Sequence, residues 1–299
     1  MRAVVLVGGE GTRLRPLTYK TPKQLLPVAL VPMIERVVAH LAGHGVDHVV
    51  LSMGYQPDKF HAAYPDGHCA GVELTYAVEP EPMGTAGGIG FAARFADIDD
   101  TFLVVNGDVL TDLDIGRLVA FHRERGGQAT ISLTPVDDPS AFGVVPTFDD
   151  GRVEAFVEKP PKDEAPTNLI NAGTYVLEPS VLAMIPEGRA VSIERETFPS
   201  LVSCGTLFAQ PSEGYWVDAG TPSTYLRANL DLRGTDVLVG DGAEIDPTAV
   251  VSDSVVGPAA RVGAGARLSE SVVLAGAAVE AGAELHRSIV DTDATIDVG

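Results

Sequence analysis

From Val239 to the end of the chain, isolated aliphatic residues stand five or six positions apart among glycine, alanine and acidic residues. They read Val239, Ile245 and Val250, then Val256, Val262 and Leu268, then Val273, Val279 and Leu285, then Val290 and Ile296, and the first member of each set recurs every 17 positions. A coil that offers one aliphatic side chain per short strand cannot bury a core alone, whereas identical coils stacked in register bury continuous columns. The period therefore predicts a left-handed parallel β-helix with three flat faces per coil. The chain supplies just over three coils and stops at Gly299. An uncapped end of this kind is expected to be covered by the remainder of the chain or by another copy, so a homo-oligomer, dimer or tetramer, is expected through this segment.

The other end of the chain is organised around phosphate-sized geometry. Ala3 to Val7 is an apolar run of strand length that breaks at Gly8, Gly9 and Gly11, where glycine permits a sharp turn and close approach of a ligand. Arg13, Arg15, Lys20 and Lys23 follow within twelve residues, in a chain that has 21 basic residues and a formal net charge of -20. Cations gathered this tightly in an acidic chain suit phosphate oxygens. A nucleotide or sugar-phosphate site is expected at the C-terminal end of the first strand. GGEGTR is not GxGxxG, and no GK[ST] follows, so neither the dinucleotide fingerprint nor the P-loop describes it.

The full stretch, GGEGTRLRPLTYKTPK, resembles the signature of the sugar-1-phosphate nucleotidylyltransferases. The resemblance implies an α/β chain: a Rossmann-like mixed-sheet nucleotidyltransferase domain over residues 1–232, then the short left-handed parallel β-helix over 233–299. It implies that Gly8, Gly9, Gly11 and Thr12 wrap a nucleoside triphosphate, that Arg13 holds its pyrophosphate and that Lys23 lies at the reacting phosphates. Some members of the family use the β-helix for acyl transfer, which needs a general-base histidine. His286 alone is available there, so assembly is the expected role.

Between these ends, VDHVVLSM and GVELTYAV read as strands, and EPEPMGTAGGIG as a second glycine-rich turn opening a helix from Thr85 to Ala96. The amides of that turn, with Gly84 and Thr85, are expected to face a bound group. Glu79 has two readings. It caps the turn, with Glu81 close by, or it accepts the two adjacent donors of a guanine edge. In the resembling enzymes that take thymidine or uridine nucleotides a glutamine holds this place, and in guanylyltransferases a glutamate, which favours guanine. TFLVV is a buried strand ending in Asn106, Gly107 and Asp108. Asp108 is either a turn residue or a ligand for a hard cation, and the resemblance makes it a Mg2+ ligand.

Residues 114–125 place Ile115, Leu118, Val119 and His122 on one helical side. From Phe142 onward, FGVVPTF, GRVEAFVEKP and NLINAGTYVLEP predict an antiparallel region walling the sugar side. Glu158 and Lys159, adjacent on a strand, should point to opposite faces. The resemblance assigns Gly143, Glu158 and Asn171 to the sugar and Lys159 to its phosphate. SIERETFPSL reads as a helix. In GYWVDAGTP, Trp216 and Val217 are expected in the core, and Asp218 precedes a helix from Pro222 to Leu232 with Thr221 as a candidate N-cap. Asp218 is a turn residue or, by resemblance to WxDxGT, the second Mg2+ ligand.

No run approaches 18 apolar residues and Met1 to Val7 lacks a signal-peptide pattern, so a cytoplasmic protein without membrane contact is expected. Cys69 and Cys204 have no metal spacing and read as free thiols. The acidic balance repels nucleic acid. The resemblance implies a reaction that joins GTP and a sugar 1-phosphate, such as mannose 1-phosphate, into a GDP-sugar and pyrophosphate. Gln24, in PKQLLPV, supports a competing reading as a dTTP-using glucose-1-phosphate thymidylyltransferase. A non-catalytic subunit of the same fold would show broken phosphate or metal positions, and Arg13, Lys23, Asp108 and Asp218 are all present.

Overall fold

The apolar run after Met1 becomes the strand Arg2–Leu6, flanked in parallel by His48–Met53 on one side and Phe102–Asn106 on the other. The structure, a computed structural model, describes residues 1–299. These residues divide into two compact units, one of residues 1–9 and 37–216, the other of residues 10–36 and 217–299. No helix is long and apolar enough to cross a membrane.

The first unit is built on a ten-stranded mixed sheet. Val72–Val78 extends the parallel part beyond His48–Met53. Strands covered on both faces read as unbroken apolar runs, which is why VVL, VVL and FLVV carry no alternation. The helix Gly84–Phe95 lies against them: Ala86, Ile89, Ala92 and Ala93 are fully buried with Val4, Val50, Ala77 and Val104. Past Phe102–Asn106 the sheet turns antiparallel through Leu169–Leu177, which pairs with Phe102–Asn106, Ala129–Pro135 and Gly143–Val144. Leu207–Pro211 then runs parallel to Ala129–Pro135.

The helix Ile115–Arg125 buries the side its sequence predicts, Ile115, Leu118, Val119 and His122. Asp114 caps it, accepting the Arg117 N–H at 2.9 Å. The buried His122 ring is satisfied at both nitrogens, by Thr130 Oγ1 at 2.8 Å and Glu178 Oε1 at 2.9 Å.

In the second unit the segment 10–36 is tied to the helix Pro222–Leu232, whose N-cap is Thr221 in a reciprocal capping box with Thr224. A short hairpin, Pro27–Val28 with Val31–Pro32, turns through Ala29 and Leu30 at φ of 47° and 68°. Neither is glycine, so sequence alone gives no signal for this left-handed turn. Asn229, 1% exposed, holds it: Oδ1 accepts the Ala29 N–H at 2.8 Å, and Nδ2 donates to the Tyr225 carbonyl at 2.9 Å. Asn229→Ala should lower the free energy of unfolding by about 1–3 kcal/mol, because the Ala29 amide is left buried and unpaired. Urea denaturation checks this; an unshifted midpoint would mean the turn stands without the carboxamide.

The repeat forms three parallel ladders stepping by 17 residues, as in Val255 with Val272, Val262 with Val279 and Leu268 with Leu285. The third column differs from the sequence reading. Val251, and not Val250, is in register with Leu268, and Val250 is 52% exposed. Two adjacent valines on a strand face opposite sides, and a strict spacing rule picks the wrong one.

Alanine columns fill the corners, Ala243 with Ala260 and Ala277, and Ala249 with Ala266 and Ala283. Buried Ser254, Ser271 and Ser288 form a polar ladder the aliphatic pattern does not reveal, each hydroxyl donating to the carbonyl two residues earlier. The first two also accept the next coil's backbone amide. Nor does the last coil continue as expected. Thr295–Asp297 folds back antiparallel on Ser288–Val290, so Ile296 meets Ile289 and the edge of that ladder is closed by the chain itself.

Candidate active site

Each unit carries part of the predicted residue set. The first holds Gly8, Gly9, Glu79, Gly84, Thr85, Asp108, Gly143, Glu158, Lys159 and Asn171, and the second holds Gly11, Thr12, Arg13, Lys23 and Asp218.

In the first unit the glycine turn leaves the central strand where the Val7 N–H donates to the Ser52 carbonyl at 2.9 Å. Gly107 packs against the same place. Its N–H donates to the Leu6 carbonyl at 3.0 Å, and a Cβ there would come within 2.8 Å of Val7 Cγ1. The absence of a side chain at Gly107 thus sets half-buried Asp108 beside the end of the first strand. This is where open α/β sheets take ligands.

Glu79 realises the capping reading. Its Oε2 accepts the Met83 N–H at 3.0 Å and its Oε1 the Ser52 hydroxyl at 2.9 Å. One lone pair on each oxygen is thereby used, and a carboxylate oxygen has two.

The helix beginning at Gly84 does not present its first amides as expected. The Val191 carbonyl accepts the N–H groups of Ala86 at 2.9 Å and Gly87 at 3.2 Å, and the Val191 N–H donates to the Met83 carbonyl at 2.8 Å. Gly84 sits at φ +70°, where a Cβ would lie 2.7 Å from the Val191 oxygen. The Thr85 hydroxyl is committed likewise, donating to Glu194 Oε2 at 2.8 Å and accepting the Ile193 N–H at 2.8 Å. Helix termini need partners for their orphan amides, and here the segment around Val191 supplies them. SIERETFPSL accordingly is a π-helical turn, Ile193–Thr197, running into the α-helix Phe198–Ser203.

On the antiparallel side Gly143 faces Glu158 across the ladder. Lys159 has a left-handed φ of 52°, so it leaves the strand alternation, and its Nζ returns to 3.5 Å from Glu158 Oε1. The opposite-face expectation is thereby corrected, because alternation holds only while the backbone stays extended. Asn171 locks a bulge, Oδ1 accepting the Gly173 N–H at 3.0 Å and Nδ2 donating to the Tyr175 hydroxyl at 2.9 Å. Gly173, at φ +76°, has no room for a Cβ beside Asn106. Burial pushes the Tyr175 phenol far above the usual tyrosine range, and the charges of Glu194, Glu158 and Asp108 add to the shift. Tyr175 is thus neutral. Trp216, expected in the core, is half-buried, its indole N–H donating to the Ala172 carbonyl at 2.9 Å.

In the second unit Gly11, at φ +63°, leaves no space for a Cβ, which would meet Thr18 Cγ2 at 2.9 Å and Lys23 Cβ at 3.2 Å. The loop therefore closes with Lys23 against Gly11. Gly220 does the same for two other groups: a Cβ there would lie 2.7 Å from Asp218 Oδ1 and 2.9 Å from Arg13 Nη2. Arg15 pairs with Glu10 at 3.0 Å and lies over the Tyr19 ring, while Lys20 pairs with Asp293.

No three His, Cys, Asp or Glu side chains converge as an all-protein metal cage. Asp108 and Asp218 offer carboxylate oxygens alone. Each of them, Asp108 in the first unit and Asp218 in the second, is the type of donor that a hard divalent cation takes alongside phosphates and water.

Ser52 and Glu194 escaped the sequence reading. A lone serine inside VVLSM was the signal for the first; nothing local marks the second, whose partners Thr85 and Ser192 include one 109 residues away.

Residues 2–234 match the family described as nucleotidyl transferase, and residues 234–298 the GMPPB C-terminal domain. Over 263 residues the chain is 43% identical to a mannose-1-phosphate guanylyltransferase of Mycobacterium tuberculosis, covering 83% of this chain and 72% of that one. It is similar to a solved Bacillus anthracis structure described as a glucose-1-phosphate thymidylyltransferase, with a TM-score of 0.71 and 29% identity over 79% of this chain and 96% of that one. HddC from Yersinia pseudotuberculosis, solved with GMP-PN, matches with a TM-score of 0.66 and 27% identity over 77% of this chain and 98% of its own.

Proposed function

The chain belongs to the nucleotidyl transferase family, and we propose on that premise that it transfers the guanylyl group of GTP to mannose 1-phosphate, giving GDP-mannose and pyrophosphate. A phosphate oxygen of the sugar 1-phosphate attacks the α-phosphorus of GTP in line; the bond to the bridging oxygen breaks, and pyrophosphate leaves with that electron pair. The substrate is its own nucleophile, so the protein's contribution is positioning and charge neutralisation.

Arg13 and Lys23 offset the charge developing on the pyrophosphate and the α-phosphoryl group. Gly8, Gly9, Gly11 and Thr12 wrap the triphosphate, with Gly84 and Thr85 beside the nucleoside. Gly143, Glu158 and Asn171 hold the sugar hydroxyls, and Lys159 its phosphate. Asp108 and Asp218 are the carboxylates that would hold Mg2+, which when bound neutralises charge on the reacting phosphates.

The observation that supports guanine is Glu79. A carboxylate accepts hydrogen bonds only, and the guanine edge offers two adjacent donors, whereas thymine and uracil place an acceptor beside one. Gln24, the feature that favours dTTP, is 1% exposed. Incubation with mannose 1-phosphate or glucose 1-phosphate and each of GTP, dTTP, UTP, ATP and CTP, read by product mass, tests the assignment. GDP-mannose should dominate. A faster yield of a dTDP-sugar would overturn the base assignment, and a faster GDP-glucose product the sugar assignment alone.

A further inference from the structure

We propose that Ser52 is a positioning residue that aims the base-reading carboxylate of Glu79, and so sets how strictly the enzyme selects guanine; this rests on the reading of Glu79 given above. Ser52 is fully buried in the strand His48–Met53 among Val50, Leu51 and Met53, all fully buried. Its backbone is already engaged, with its carbonyl accepting the Val7 N–H at 2.9 Å and its register fixed between Leu6 and Ala77. An alanine would fill such a place without desolvating a hydroxyl, which is unfavourable unless the hydroxyl is bonded. The bond it makes is to Glu79 Oε1, at 2.9 Å.

The opposite oxygen is held from the turn by the Met83 N–H, at 3.0 Å. A free glutamate rotates about three side-chain torsions, but this one is gripped at both oxygens, and each keeps a lone pair for the two donors of a guanine edge. Gly88 completes the slot. A Cβ on it would stand 2.6 Å from Glu79 Oε1 and 2.9 Å from Ser52 Oγ, so the helix must present no side chain there. Gly8, in the glycine turn, borders the same oxygen at 3.7 Å from its own Cβ position.

The test is the ratio of kcat/KM for GTP to that for ITP, whose base lacks the exocyclic amine. Because both nucleotides are measured on one preparation, the ratio is independent of the fraction of active enzyme and does not move with a purely structural loss. Ser52→Ala and Gly88→Ala should each lower it roughly five- to tenfold, the scale of one net intramolecular hydrogen bond. Glu79→Gln should lower it at least as far, and Ser52→Ala added to Glu79→Gln should lower it no further.

If Glu79→Gln lowers the ratio while Ser52→Ala leaves it at the wild-type value, the positioning role is overturned and the reading of Glu79 stands. If Glu79→Gln also leaves the ratio unchanged, the base reading itself fails. A double variant well below Glu79→Gln alone would show that Ser52 acts by another route, and that too overturns the proposal.

Discussion

Asp108→Asn is expected to lower the turnover of GDP-sugar formation by about 100-fold or more, the loss typical of removing one preorganised charge-stabilising group. Asparagine keeps the size of the side chain and one acceptor oxygen but removes the negative charge on which a hard cation depends. The location makes the loss specific. Gly107 bonds to Leu6 at the end of the first strand and tolerates no Cβ there, so Asp108 is delivered to the mouth of the parallel sheet by backbone packing and not by its own side chain. The neighbouring core is untouched by the change. Turnover measured across a Mg2+ titration checks this. A maximal rate equal to wild type, reached at the same Mg2+ concentration, would overturn the proposed role of Asp108 as a metal ligand.

Gly220→Ala should cost a comparable factor, on the order of 100-fold, although it adds one methyl group and removes no functional atom. Gly220 is buried and its backbone is not left-handed, so alanine is conformationally acceptable. The added Cβ, however, would fall 2.7 Å from Asp218 Oδ1 and 2.9 Å from Arg13 Nη2, closer than real contacts allow. One or both must move. In the mechanism proposed above, displacing the Asp218 carboxylate and the Arg13 guanidinium by even about 1 Å spoils in-line geometry. The expected signature is a fall in kcat with an unshifted thermal midpoint. Full turnover in Gly220→Ala would show that Arg13 and Asp218 work in positions other than those they occupy here.

Much of the fold is legible in one dimension because it rests on periodicity. The apolar runs behind Gly8 and Asn106, the buried side of Ile115–Arg125 and the 17-residue step of the β-helix are all local patterns that burial enforces. Where an adjacent pair competes the pattern is ambiguous, as at Val250 and Val251, of which only Val251 is in register with Leu268. Left-handed residues that are not glycine are invisible in the same way. Lys159 and the Ala29–Leu30 turn owe their conformation to partners distant in the chain, Lys159 through its N–H to the Phe142 carbonyl and the turn through Asn229.

By itself the sequence determined the glycine turn, the cations and acids that accompany it, and the stacked coils that follow, since each of these is written in residue type and spacing. Only the tertiary structure decided which partners those groups and their neighbours meet. It committed Arg15 to Glu10 and Lys20 to Asp293, gave the amides of Ala86 and Gly87 to Val191, and set Ser52 against Glu79. The reason is that a hydrogen bond or ion pair is formed by whatever lies within about 3 Å after folding, and the partners in these pairs stand up to 273 residues apart.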